Sequence, residues 1–553
     1  MFIHVKKLIP FFIIILFMFI FPRISQANPL RYVNLIKISG DFAILEIRGL
    51  ENKNYYSCNI KTLICEAIPK LPTEPSVSVE KTIKSSIKFP SNSSRRNISQ
   101  TGNFGFYSTV DTAKGTRTMG LIDGKNKKNY SIKENLNFWN LLDEQPHISR
   151  FAQDDSTLTY MSDRSGFASL YSLSLKNLSN KNFQGTQITS GVSVGDFIYA
   201  DSKTILYVAN TKSDPYNWVL YSYNLTTKKK NILVENLVYD TILHQSGNSI
   251  IFTKLTPLGT LPVVITDFKE GGEKEFTGLS PSPLDTKSIT YTYKNINSLN
   301  TVEMKNINTD TTIKHSLIVW LHGGPYRQGS YIRHPYISYG VYDWILEEAV
   351  SKGAYVLKID YPGSYGSGRT FTQSIKNQVG KIDINSVMNA ITIYKKTHEI
   401  NNTYVIGNSY GGYLALKFMT SYPDKIDGGL SINGVTDWGS LLNYYKNSIF
   451  NTFFNGIPSS INKKLFAQAL ILNNIKNIKN PLYIIQGDID STIPKSQALL
   501  LKKALDDTHK ISTLTIIADE NHVFLKNSSI NTICKSLFEM TQLDATNSCN
   551  LEG

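Results

Sequence analysis

A serine at a sharp turn between a strand and a helix is the first chemical feature of this sequence. Residues 407–412 read GNSYGG and match the pattern G-x-S-x-G around Ser409. An apolar stretch precedes this motif and a helical periodicity follows it, as a turn that exposes a nucleophilic hydroxyl requires. A second match at residues 191–195 lies among strand-like patterns only, so we expect Ser193 to be an ordinary turn residue.

A catalytic base should follow this serine, because a hydroxyl becomes a good nucleophile only when its proton is removed. His522 comes directly after the apolar run that ends at Ile517. His509 precedes that run and would lie at the opposite end of the strand. We therefore predict that His522 is the base of Ser409.

The acid and the oxyanion donors are expected at neighbouring strand ends. Asp488 and Asp490 both follow the apolar run 482–486, and their position in the sequence leaves the choice between them open. A tetrahedral intermediate also needs preorganised N–H donors. We predict that these are the backbone amides of Tyr410, next to the nucleophile, and of Gly324, in the HGGP segment after an earlier strand.

Apolar strands that alternate with helical periods must position these residues. This alternation after residue 285 predicts an α/β domain with a mostly parallel, doubly wound sheet, in which reactive residues lie at the carboxyl ends of strands. The predicted strands are 316–321, 354–359, 403–406, 429–432, 482–486 and 513–517, and the clearest helices are 341–352 and 413–421.

The first half of the chain has a different pattern, with short alternating strands and turn residues but hardly a helical period. Repeats at roughly 40-residue intervals predict a β-propeller of six blades, or seven small ones, with a pair of β-sandwiches as the alternative. Residues 76–100 are expected to form a long loop. The predicted division is a signal peptide at 1–27, a β-propeller-like domain at 28–284 and an α/β-hydrolase domain at 285–553.

The first 27 residues predict export. Two lysines precede the apolar run 8–21, and the small residues Ser25 and Ala27 occupy the positions that signal peptidase reads. The run is shorter than the roughly 20 residues of a spanning helix, so we expect cleavage after Ala27 and no stable membrane anchor. The Lys-, Asn- and Ile-rich composition is typical of bacteria, so we expect a periplasmic or secreted location.

Four cysteines in an oxidising compartment predict disulfides. Cys58 and Cys65 flank a predicted hairpin turn, and Cys534 and Cys549 would join a last helix to the tail, which favours two local pairs. Neither pair has the spacing of zinc ligands, so we expect no metal.

Composition restricts the function classes further. With 553 residues, 41% hydrophobic and 18% charged, the chain is expected to fold into two ordered domains. The net charge of +14 is spread over a Lys- and Asn-rich surface without a nucleic-acid-binding motif, so we expect no nucleic-acid partner.

Taken together, these motifs resemble the prolyl oligopeptidase family of serine peptidases, in its acylaminoacyl-peptidase and dipeptidyl-peptidase-like branches. The resemblance rests on HGGP at 322–325, GNSYGG at 407–412, G-x-x-D-x-x-[VI]-P at 487–494, and His522 shortly before Phe524. It implies that Asp490 is the triad acid. It also implies an apolar or aromatic substrate pocket, whose walls would be Tyr410, Val435, Trp438 and Ile493.

The resemblance implies a serine peptidase without metal or organic cofactor, whose propeller caps the active site and restricts substrates to short peptides. The sequence departs from the family's usual residues at Pro362, Gln486 and Val523, and it shows no clear Glu pair that would hold a free amino terminus. The oligomeric state stays open. The alternatives are an esterase or specialised amide hydrolase with the same triad, and a propeller-based binding protein with an inactive hydrolase domain.

Overall fold

The structure is a computed structural model of the chain. It describes residues 32–71, 87–111, 115–136, 147–176, 178–179, 183–237, 241–256, 259–265, 272–279, 288–446 and 448–551. The expected signal peptide and the expected domain boundary near residue 285 lie outside these residues.

The N-terminal part of the described chain consists of antiparallel strands that follow one another as meanders. The strands are β1 (Tyr32–Ser39), β2 (Phe42–Arg48), β3 (Lys53–Asn59), β4 (Cys65–Ile68), β5 (Ser93–Ile98), β6 (Phe104–Asp111), β7 (Thr116–Asp123), β8 (Lys128–Asn135), β9 (Ser149–Phe151), β10 (Thr157–Ser162), β11 (Ser169–Ser174), β12 (Thr186–Gln187), β13 (Val194–Tyr199), β14 (Thr204–Asn210), β15 (Trp218–Asn224), β16 (Lys230–Leu237), β17 (His244–Ser246), β18 (Ser249–Thr256), β19 (Gly259–Ile265) and β20 (Lys274–Glu275).

These strands form five four-stranded units. The first three are separate sheets, β1–β4, β5–β8 and β9–β12, and the last two, β13–β16 and β17–β20, are joined where β16 pairs with β18. The first and fifth units are adjacent, because the N–H of Cys65 donates to the carbonyl of Thr277 at 2.9 Å. Ala43 and Leu45 of the first unit also share a buried cluster with Ile251 of the fifth.

The predicted fold class, a propeller-type β domain before an α/β-hydrolase domain, is confirmed. Two details of the expectation are wrong for the described residues. They contain five four-stranded units instead of six or seven blades, and residues 93–98, expected in a long loop, form strand β5. The rest of that expected loop includes 76–86, which lies outside the described residues.

The C-terminal part has a sheet covered by helices. Its strands are β21 (Ile289–Ile296), β22 (Leu299–Asn306), β23 (His315–Leu321), β24 (Tyr355–Ile359), β25 (Ile400–Asn408), β26 (Gly428–Ile432), β27 (Leu482–Gly487) and β28 (Ser512–Ile517). Its α-helices are α1 (Ile337–Ser351), α2 (Arg369–Gln373), α3 (Ile382–Tyr394), α4 (Tyr410–Ser421), α5 (Trp438–Tyr444), α6 (Lys463–Ala469), α7 (Ser496–Asp507) and α8 (Asn527–Thr541). Two 3₁₀ helices cover Ile449–Phe453 and Leu472–Asn477.

The strand order is β21-β22-β24-β23-β25-β26-β27-β28. The last six strands of this order are parallel, whereas β21 and β22 are antiparallel to their neighbours. All six predicted strands are present, and β21 and β22 add an antiparallel edge. The parallel strands are mostly buried, except the first residues of β25 and the edge strand β28, as expected for a sheet covered on both faces.

Strand ends and a loop of the β domain lie on the carboxyl-terminal edge of this sheet. The indole N–H of Trp218 donates to the Gln328 side chain at 3.2 Å, in the connection that follows β23. The Asn210 amide donates to the carbonyl of Gly366 at 3.2 Å, and the N–H of Arg369 donates to the carbonyl of Gly166 at 2.6 Å. The β domain therefore covers the sheet edge at which reactive residues are expected.

Each predicted cysteine pair forms a disulfide in the structure. Cys58 and Cys65 lie directly opposite each other on β3 and β4, and Cys534 of α8 is bonded to Cys549 in the tail.

Among the helices of the described segments, we find none with the length and apolar character needed to cross a membrane.

Candidate active site

Ser409 lies at the turn between β25 and α4, where its backbone has a φ of 58° and a ψ of −117°. This left-handed conformation is unfavourable for a residue with a side chain, and it presents the partly exposed serine above the sheet edge. Glycine is required around it, because a Cβ on Gly411 would lie 1.8 Å from the carbonyl oxygen of Leu321 on the neighbouring strand. Close contact between α4 and β23 thus fixes the nucleophile's turn.

His522 and Asp490 lie together at the ends of β28 and β27. The imidazole Nδ1 of His522 is 2.8 Å from Oδ2 of Asp490. A carboxylate only accepts hydrogen bonds, so Nδ1 carries a proton, and in the neutral imidazole Nε2 then keeps its lone pair. This is the tautomer that a general base for a serine hydroxyl requires.

Asp490 is held by several further donors. Its Oδ1 accepts the backbone N–H groups of Thr492 and Ile493, both at 2.8 Å. The amide of Gln486 lies 3.4 Å from Oδ2 and donates to the carbonyl of Ile493 at 3.0 Å. The carboxylate is therefore buried and fixed in orientation, which a catalytic acid needs in order to hold the imidazole.

The two candidate aspartates differ in surroundings. Asp488 is partly exposed, and its carboxylate pairs with the ammonium group of Lys495 at 2.5 Å. His509, the alternative base, follows α7 and precedes β28, so it lies at the other end of that strand from His522. The structure brings Asp490 to His522 and leaves Asp488 and His509 outside this arrangement.

Asn433 connects the serine, acid and base segments, and the sequence reasoning missed it. The N–H of Ser409 donates to the carbonyl of Ile432, and the next side chain, Asn433, donates to the carbonyl of His522 at 3.0 Å. Its amide oxygen accepts the N–H of Gly487 at 2.9 Å. Asn433 is fully buried, so these bonds are protected from water. An Asn-Gly pair directly after a predicted strand was the available signal.

The predicted oxyanion donors flank the serine. Tyr410 is the first residue of α4, so its N–H has no acceptor within the helix. Gly323 lies against the serine, since a Cβ added to it would be 3.2 Å from Cβ of Ser409. The following Gly324 has a φ of 117° and precedes a cis peptide bond to Pro325. The HGGP segment therefore passes directly beside Ser409.

The side chains predicted to form the substrate pocket are almost fully buried. Tyr410, Val435, Trp438 and Ile493 are only 1–2% exposed and belong to one hydrophobic cluster. The rings of Tyr410 and Trp438 are 5.8 Å apart. The structure thus brings these residues together, and their role in substrate binding stays a prediction.

Within the described segments, we find no cluster of three or more His, Cys, Asp or Glu residues suited to a metal.

Comparison with known proteins gives a family match over the C-terminal domain. The model of the prolyl oligopeptidase family matches residues 341–541. Dipeptidyl aminopeptidase BIII of Pseudoxanthomonas mexicana is 29% identical over 231 residues, which cover 39% of this chain and 32% of that protein. The acylamino-acid-releasing enzyme of Arabidopsis thaliana is 24% identical over 216 residues, which cover 37% and 27%. The matched part is about a third of the length of these curated relatives.

Solved structures match a larger part of the chain. A puromycin hydrolase, crystallised as a mutant in complex with PGG, has a TM-score of 0.67 at 13% identity, covering 91% of this chain and 77% of that one. Dipeptidyl peptidase 4 of Porphyromonas gingivalis has a TM-score of 0.65 at 17% identity, covering 92% and 71%. At these identities the matches show the fold, and they extend over both domains. The sequence similarity to the prolyl oligopeptidase family therefore lies in the C-terminal domain, whereas the similarity in fold extends over both domains.

Proposed function

We propose that this chain is an exported serine peptidase that hydrolyses peptide bonds of short peptides through an acyl-enzyme intermediate. The observation that carries this proposal is the 2.8 Å contact between His522 and Asp490, on loops that Asn433 connects to the turn of Ser409. The family match in the same domain supports peptides as substrates.

In the proposed mechanism, Oγ of Ser409 attacks the peptide carbonyl while Nε2 of His522 takes its proton. His522 then gives this proton to the departing amine, and the acyl group stays on the serine. Asp490 holds the imidazole and stabilises its charged form. Water, activated by the same histidine, then hydrolyses the ester. The N–H groups of Tyr410 and Gly324 stabilise the negative oxygen in both steps.

Short peptides are the proposed substrates because the β domain covers the carboxyl-terminal edge of the sheet. Contacts of Trp218, Asn210 and Gly166 with the catalytic domain lie on the connections after β23 and β24. A folded protein would have to pass this cover, whereas a short extended chain needs much less space. Export is supported by the pattern of residues 1–27 and by the two local disulfides.

The test is digestion of a mixed peptide library by residues 28–553, with products identified by mass spectrometry. Ser409→Ala should lower the cleavage rate by about 10⁶-fold, because the nucleophile is lost. Ser193→Ala is the matched control, since Ser193 has the same G-x-S-x-G pattern but lies in the turn before β13. This control should cleave at the rate of the wild type.

Each result separates the proposal from its alternatives. Cleavage that disappears only in Ser409→Ala supports a peptidase. A wild type that cleaves no peptide but hydrolyses esters through Ser409 would identify an esterase. A wild type whose Ser409 does not react with a fluorophosphonate would favour the binding protein with an inactive hydrolase domain.

A further inference from the structure

Three aromatic rings form a continuous stack behind the expected oxyanion hole. The rings of His322 and Tyr361 are 4.6 Å apart with an interplanar angle of 21°, and those of Tyr361 and Tyr410 are 5.8 Å apart at 17°. All three are at most 4% exposed. His322 begins the segment that carries Gly324, and Tyr410 supplies the other amide. The stack therefore connects the two backbone segments that bear the oxyanion donors.

Hydrogen bonds fix one end of this stack to the HGGP segment. The hydroxyl of Tyr361 donates to the carbonyl oxygen of His322 at 2.6 Å. The Nδ1 atom of His322 lies 2.7 Å from the carbonyl of Gly323, and its Nε2 atom lies 2.9 Å from the hydroxyl of Ser364. Both imidazole nitrogens have partners, so His322 serves as a support and not as a second base.

A buried carboxyl group fixes the other end. The hydroxyl of Tyr410 donates to Oδ2 of Asp383 at 2.7 Å. Asp383 is fully buried and also accepts the N–H groups of Gly380 and Ile384, at 3.0 and 2.8 Å. Burial raises the pKa of the Tyr410 hydroxyl well above its ordinary value, so this group stays a donor. Rotation of either tyrosine side chain would leave buried polar atoms without hydrogen-bond partners, which costs free energy.

We propose that Tyr361 is a positioning residue that sets the separation between the amides of Gly324 and Tyr410. This inference rests on the proposed function, because it assigns those amides to the oxyanion hole. Stabilisation of a developing oxyanion depends on donors that are already in place, and a displacement of about 1 Å can cost about 10²-fold in rate. A rigid ring between the two segments would keep the donors at their working distance.

The test measures how fast Ser409 reacts with a fluorophosphonate probe. The tetrahedral phosphonyl group places an oxygen where the oxyanion would lie, and the reaction does not depend on whether the natural substrate is a peptide or an ester. Two quantities are recorded for each variant of residues 28–553. They are the second-order rate constant and the fraction of protein labelled at the end point.

Tyr361→Phe removes only the hydrogen bond to His322 and should lower the rate constant about 10-fold. Tyr361→Leu also removes the stacking and should lower it about 100-fold. Tyr410→Phe should lower the rate constant several-fold. In the double variant Tyr361→Phe/Tyr410→Phe, the rate constant should fall by less than the product of the two single reductions, because both residues position the same donors. The labelled fraction should stay that of the wild type in each case.

Tyr394→Phe is the matched control. Its hydroxyl donates to the buried Glu303 at 2.8 Å in the same domain, much as Tyr410 donates to Asp383. The control loses a comparable buried hydrogen bond away from the serine, so its rate constant should stay within two-fold of the wild type.

The inference is wrong if the Tyr361 variants react at the wild-type rate, or if they lower only the labelled fraction, which would indicate a purely structural role. If Tyr361→Leu does not fold, the two Phe variants, each lacking one oxygen atom, still decide the question. A wild type that reacts with the probe but cleaves no peptide contradicts the proposed substrate and leaves this test valid. A wild type that does not react with the probe overturns both proposals.

Discussion

Replacing Asp490 by Asn tests the roles of the acid and the base, because two short backbone hydrogen bonds select one orientation of the amide. Oδ1 of Asp490 accepts two backbone N–H groups at 2.8 Å, and Oδ2 faces Nδ1 of His522 at 2.8 Å. An amide NH₂ cannot accept a hydrogen bond. In Asp490→Asn the side-chain oxygen would therefore face the two backbone donors, and the NH₂ group would face the imidazole.

This orientation gives His522 the wrong tautomer. Nδ1 must accept the amide proton, so the ring proton moves to Nε2, where it blocks the transfer from the hydroxyl of Ser409. In serine peptidases the wrong tautomer costs about 10⁴-fold in kcat, which is about 5.5 kcal/mol of transition-state stabilisation. We expect this loss in kcat, with little change in KM, since shape and volume are conserved.

The assay is steady-state hydrolysis of a peptide identified in the library digest. Asp488→Asn is the matched control, because Asp488 is two residues away but forms a partly exposed ion pair with Lys495. Exposed ion pairs contribute about 0–1 kcal/mol, so we expect kcat to change less than two-fold. An Asp490→Asn variant with more than a tenth of the wild-type kcat would refute the tautomer argument. A comparable loss in Asp488→Asn would refute the assignment of the acid.

Two further predictions concern how the site is held together. Asn433→Ala removes the hydrogen-bond partner of the His522 carbonyl and of the Gly487 N–H. Each buried group that loses its partner should lower the free energy of unfolding by about 1–3 kcal/mol. We expect a lower midpoint in urea unfolding and a kcat reduced about 10- to 100-fold, and a wild-type kcat would show that the connection is not needed for catalysis. The disulfide Cys534–Cys549 closes a loop with a sequence separation of 15 residues, so replacing both cysteines by Ser should cost about 3 kcal/mol in unfolding free energy. An unchanged unfolding midpoint would contradict this.

The positions of the candidate catalytic segments could be predicted because each follows a strand that reads as an apolar run. The motif around Ser409 indicates a nucleophilic serine only when a strand precedes it and a helix follows it. Residues 191–195 match the same pattern without that context. The structure places Ser193 just before strand β13. His522 follows from the same rule, in which loops at the carboxyl ends of parallel strands converge at one edge. The rule leaves Asp488 and Asp490 open, and only the family resemblance favours Asp490. The structure places Asp490, and not Asp488, 2.8 Å from His522.

The 40-residue interval predicts more four-stranded units than the described residues contain, because it ignores the unequal lengths of the connections. Strands β1 to β20 form five four-stranded units, and each unit takes about 49 residues on average. Strand β5 was missed for a related reason. Its sequence, Ser93–Ile98, reads SSRRNI and looks like a loop, and only pairing with β6 makes it a strand. Long-range pairing thus overrode local propensity.

The predicted substrate pocket shows why some parts of a candidate site are harder to predict from sequence than others. The roles of Ser409 and His522 depend on residue type and strand position, which are local properties. The space beside Trp438 depends on Phe450 and Phe454, whose rings lie 5.3 and 5.7 Å from the Trp438 ring. Phe450 belongs to a separate 3₁₀ helix and Phe454 directly follows it. No pattern around residue 438 indicates this contact. Protein interiors are close-packed. The volume available to a substrate side chain therefore depends on neighbours that are distant in sequence, and not only on the residues predicted to line the pocket.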